Sequence, residues 1–63
     1  MQFTLTCNVF DKEFNPIIRI PFTVDANDLH SAFEKAKTKL ARKYKTTPDN
    51  IDITGVERHT EQK

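Results

Sequence analysis

Between Val24 and Leu29 the spacing of apolar residues changes from two to three and four. A chain that makes this switch once builds strands first and then a helix. Upstream of it, Phe3, Leu5, Cys7 and Val9 alternate with Gln2, Thr4, Thr6 and Asn8. The alternation predicts a half-buried strand over residues 2–10. Asp11-Lys12-Glu13-Phe14-Asn15-Pro16 mixes charge with an Asn-Pro pair and reads as a hairpin loop. From Ile17 the alternation resumes, with Ile18, Ile20, Phe22 and Val24 opposed to Ile17, Arg19, Pro21 and Thr23. Downstream, Leu29, Ala32, Phe33, Ala36, Leu40 and Tyr44 form the seam of an amphipathic helix. Asn27 reads as its N-cap, with Asp28 in the first turn at the positive end of the helix dipole. Nothing interrupts the run from Asp28 to Thr47, and Pro48 disfavours helix in the residue before it. Ile51, Ile53 and Val56 predict a third strand, with a bulge or bend at Gly55 where the spacing slips.

Two placements of the third strand fit, antiparallel beside the first strand or parallel beside the second, and Pro21 favours the first. It has no N–H to give to a sheet ladder, so the strand that carries it belongs at an edge. The first strand, regular and free of proline, then takes the centre. The expected fold is α+β, a ββαβ unit. Its three-stranded antiparallel sheet has spatial order 2-1-3, and one helix packs on one face. Residues 1–57 form a single domain in this reading, and residues 58–63 a flexible tail.

The composition excludes whole classes of function. A 63-residue chain has room for one core. With one cysteine there is neither an internal disulfide nor a cysteine-based zinc cluster. With one glycine there is no phosphate-cradling loop. No apolar run approaches the roughly 20 residues that span a bilayer, and MQFTLTCNVF lacks the features of a signal peptide. A cytoplasmic protein without a membrane anchor is expected. The net charge of +1 gives no general attraction for polyanions. Cys7 falls on the core parity, where a thiol is a small inert hydrophobe. His30 and His59 stand alone, without a ligand pattern. The expectation is a non-enzymatic protein with no metal and no cofactor.

Function is therefore expected at the surface, and three surfaces qualify. The first is the hairpin tip: Phe10 on the outer parity, Phe14 in the loop, and Ile17 beyond Pro16. These three form a protein-binding patch if exposed; the alternative is that Phe14 folds back and caps the core. The second is the lysine-rich helix face, where Lys35, Lys39 and Arg42 line up at i, i+4 and i+7 beside Lys43. It is the alternative, nucleic-acid-binding candidate, although a solvated helix face carries charge in any case. The third is the open edge at residues 51–56, which offers a homodimer by edge-strand pairing unless Asp49, Asp52, Glu57 and Arg58 guard it.

Val24-Asp25-Ala26-Asn27-Asp28-Leu29, followed by Ala32 and Ala36, resembles the strand-to-helix junction of many small α+β proteins. In size and layout the chain is similar to short accessory proteins of bacteria and their phages. That likeness implies a protein that binds and blocks a larger machine, and it assigns a role to no residue. A protein-binding module is thus the leading expectation. Nucleic-acid binding and a structural place in a larger assembly are the alternatives.

Overall fold

In the computed structural model, which describes residues 1–59, β1 (Gln2–Phe10) lies between β2 (Pro16–Asp25) and β3 (Ile51–His59). Both outer strands run antiparallel to β1. The helix α1 (Leu29–Tyr44) connects β2 to β3 and packs on the sheet, with one 3-10 turn at Pro48–Asn50 before β3. The fold is the α+β, ββαβ arrangement in order 2-1-3 that the periodicities predict.

Pro21 does what its chemistry requires. The Ala26 N–H donates to the Met1 carbonyl at 2.9 Å. Counting back in steps of two from that bonded pair, Val24, Phe22 and Ile20 point their amides at β1. Pro21, opposite Thr6, therefore points its nitrogen at the free edge, where no ladder bond is lost.

Phe3, Leu5, Cys7 and Val9 are buried on one face of β1, the last three with no exposed surface. Ala32 and Ala36 face them and are also fully buried, with Leu40 at 1% exposure. Two alanines one turn apart let the helix backbone sit close over the central strand. Burial of Leu5, Val9 and Leu40 contributes about 1.5–3 kcal/mol each.

Because α1 starts at the end of β2 and delivers the chain to the start of β3, it crosses the sheet diagonally over β1. A diagonal covers two corners and leaves two bare. Val56 on β3 is 46% exposed and Ile18 on β2 is 38% exposed. Ile18, expected in the core set, lies instead on the bare corner next to the hairpin, and Leu29 is likewise exposed.

Other boundaries also depart from expectation. Asp28, not Asn27, is the N-cap: its backbone is extended, and its Oδ1 accepts the Ser31 N–H at 2.8 Å. The helix ends at Tyr44 rather than Thr47, because Lys45 turns left-handed at φ 57°. The Thr46 N–H then bonds the Ala41 carbonyl at 2.9 Å and the Lys45 N–H the Arg42 carbonyl at 3.4 Å, closing a Schellman-type cap. β3 runs to His59, so Arg58 and His59 pair with Phe3 and Gln2 instead of starting a tail. Residues 60–63 of the expected tail lie outside the described residues. The bulge or bend expected at Gly55 is a bulge: Gly55 faces Thr6 and Ile53 faces Cys7, which leaves Thr54 as the extra residue. No described helix is long and apolar enough to cross a membrane.

Candidate functional site: the hairpin end

Five residues, 11–15, connect β1 to β2, and a backbone bond from Asp11 to Asn15 closes the three-residue loop 12–14 between them. The Phe14 N–H donates to the Asp11 carbonyl at 2.9 Å, and the Asp11 N–H donates to the Asn15 carbonyl at 2.9 Å. The Asp11 side chain tightens the turn. Its Oδ1 accepts the N–H groups of Glu13 and Asn15, each at 2.9 Å, and its Oδ2 the Asn15 side-chain amide at 3.4 Å. These bonds, led by the Asn15 N–H, hold the Asp11 carboxyl below its usual acidity range.

A three-residue hairpin loop needs its last residue in the left-handed region, a position ordinarily filled by glycine. Here Phe14 fills it at φ 64°. For a residue with a side chain this conformation costs about 1–2 kcal/mol. The ring does not recover that cost by burial, since Phe14 is 69% exposed. It projects into solvent and does not cap the core.

The next irregularity adds to the same surface. Val9 pairs with Ile18 but Phe10 pairs with Pro16, so Ile17 is an extra residue in β2. This bulge leaves Ile17 43% exposed beside Ile18 on the bare corner. Of the six large hydrophobics exposed among the described residues, three lie within these five positions, Phe14 to Ile18. Phe10, the third expected tip residue, is half-buried on the outer face. Phe14 and Ile17 are thus both exposed at this end of the sheet, and so is Ile18, whose strand parity had marked it as core.

The hairpin is held rigidly from below. Thr46 Oγ1 donates to the Phe10 carbonyl at 3.0 Å, and the Asn50 amide donates to the Asp11 carbonyl. Asn50 is the one buried polar residue among those described, and its Oδ1 accepts from Thr47 Oγ1 at 3.2 Å.

The basic face is exposed at Lys35, Lys39, Arg42 and Lys43. Lys35 Nζ donates to the Asp25 carbonyl at 2.6 Å, which ties this flank of α1 to the β2 side of the sheet. An open cleft of about 240 Å³ lies there, lined by Asp25, Ala26, Asn27, Ser31 and Lys35. Lys43 Nζ lies 5.7 Å from the centre of the Tyr44 ring. None of these cations has a carboxylate within 4.0 Å among the described residues.

The helix-free face of the sheet is polar. Thr4 Oγ1 bonds Thr23 Oγ1 at 2.9 Å and His59 Nε2 at 2.6 Å, a row across all three strands. Asn8 reaches Thr54 Oγ1 at 3.3 Å. His30 lies 3.5 Å from Glu34 on the helix surface. Cys7 is fully buried, and burial pushes its thiol pKa up, which keeps it protonated. At the edges, Pro21 removes a donor from β2 and the Thr54 bulge breaks the regularity of β3. Comparison with protein-family models, curated proteins and solved structures finds no match for the chain.

Proposed function

We propose that the chain acts by binding a protein through the hairpin end, with Phe14 and Ile17 as anchors and Ile18 and Phe10 beside them. The observation that carries this reading is Phe14 itself, an aromatic ring in a costly left-handed backbone and in water. A fold gains nothing from that combination, whereas aromatic anchors supply much of the energy at interfaces. The rigid base of the loop adds support, because a preorganised contact loses little entropy on docking. Both sheet edges are interrupted, which places the weight on the tip instead of on strand addition or edge-paired homodimerisation. The inert, buried thiol fits binding without chemistry. The likeness in size and layout to short bacterial and phage accessory proteins points to occlusion of a larger partner as the mode of action.

The test is affinity capture from the native host with the full chain as bait, comparing wild type with F14A/I17S. The double variant should lose the partner and keep its native circular dichroism. Equal capture by both proteins rules this surface out.

A second reading, nucleic-acid binding by Lys35, Lys39, Arg42 and Lys43, is favoured by their exposure without acidic partners among the described residues. It requires binding that falls steeply with salt. A low-salt gel with no shift of any DNA or RNA eliminates it.

A further inference from the structure

The partner's chemistry can be read from what lies beside the tip. Ile18 is the exposed apolar residue on the part of β2 that the diagonal helix leaves bare, and beside it Ile20 is half-buried against the core. Above them runs the β2-side flank of α1. Lys35 identifies the flank through its bond to Asp25, the end residue of β2. Lys39 follows Lys35 by four residues and Arg42 by seven, so they continue the same flank toward the hairpin. Lys43, four beyond Lys39, extends it to the helix C-terminus.

The charge on the two segments that flank Ile18 is of one sign. Residues 35–45 contain six cations and no acid, and the hairpin half of β2, residues 16–20, contains Arg19 and no acid. An exposed isoleucine flanked by lysine and arginine complements an acidic segment that also carries apolar side chains. We propose that the surface formed by Ile18 and Lys39–Arg42–Lys43 receives an acidic, apolar segment of the partner protein. This inference rests on the protein-binding reading and extends the contact from the hairpin tip along β2.

The test uses the full chain, immobilised, to select from a random dodecapeptide display library. The selected peptide is then synthesised and titrated into isotopically labelled wild type, K39E/R42E, I18S and F14A, each first checked for native circular dichroism. All these positions are exposed, so the fold tolerates the changes. The expected sequences pair Asp or Glu with aromatic or aliphatic residues. Amide shifts should cluster at residues 17–20 and 39–43, and K39E/R42E should weaken binding by about tenfold or more. Binding lost in K39E/R42E and I18S but kept in F14A supports this surface and removes the tip as an anchor. Binding lost in F14A but kept in K39E/R42E removes this surface and leaves the tip. Selection of neutral or basic peptides, or of none, overturns the proposal. So does a K39E/R42E defect seen only with oligouridylate or with phosphatidylglycerol vesicles.

Discussion

The side-chain amide of Asn50 donates to the main-chain carbonyl of Asp11, joining the turn before β3 to the base of the β1–β2 hairpin. The two residues are 39 positions apart, and Asn50 is 7% exposed. Because Asp11 also carries the bonds that shape the tip, this amide, together with the Thr46 hydroxyl on the Phe10 carbonyl, ties the hairpin end to the rest of the fold.

Replacing that amide should therefore be costly. N50A removes one of the two donors to the Asp11 carbonyl, which keeps the Phe14 N–H, and should lower the unfolding free energy by about 0.5–1.5 kcal/mol. Urea denaturation of the two proteins gives the difference. A change within error would mean that the clamp is dispensable.

The backbone of Phe14 makes an unusual prediction, a stabilising loss of an aromatic. F14G relieves the left-handed penalty but adds freedom to the unfolded chain, for a net gain of about 0.5–1 kcal/mol. F14A keeps the same backbone cost and removes a ring that packs on little, so its stability should match wild type. Thermal unfolding of the three proteins separates them. F14G melting no higher than F14A would show that the position carries no strain.

Ala36 is fully buried between helix and sheet. A36L forces a larger side chain into a filled space and should destabilise by about 1–3 kcal/mol. Heteronuclear spectra should show the largest shifts on β1, beneath the helix. A stable A36L would mean that α1 does not rest on the sheet through its alanines.

Two carboxylates set the behaviour in acid. Asp11 is acidified chiefly by the Asn15 N–H, and Asp28 by the Ser31 N–H at the helix cap. Each folded pKa lies below its unfolded value, so each contributes stability that is present above the ordinary aspartate pKa, about 3.9. That contribution is lost as pH falls through the lower folded pKa. Urea midpoints should drop from about pH 4 downward, and the drop should be shallower in D11N/D28N. Parallel profiles for wild type and the double variant would refute the assignment.

Where burial follows the backbone period, the residues alone disclose the structure. Phe3 to Val9 announced the central strand, and Pro21 its neighbour at the edge. The limits lie where another force decides. Asn27 and Asp28 are both good caps, and only the Ser31 bond selects Asp28. Glu57, Arg58 and His59 are polar and exposed, so their strand is held by the ladder to β1, and the hydrophobic pattern is silent there. The two left-handed positions were invisible for a simpler reason. The single glycine sits at Gly55, where an added Cβ would come within 3.1 Å of Thr6 Oγ1, so Phe14 and Lys45 adopt left-handed turns without the residue that normally signals them. At the candidate site, Phe14 and Ile17 could be read from the loop composition. The exposure of Ile18 could not, because it follows from the diagonal path of α1.

On the proposed reading, the Phe14 ring stands in water to meet another protein. Photocrosslinking tests it most directly. Benzoylphenylalanine is placed at position 14 or, as a control, at the exposed helix position Thr38, and cells of the native host are irradiated. One discrete protein adduct is expected from position 14, competed by the unlabelled wild-type chain, and no such adduct from position 38. No adduct at position 14, or the same adducts from both positions, would contradict that reading.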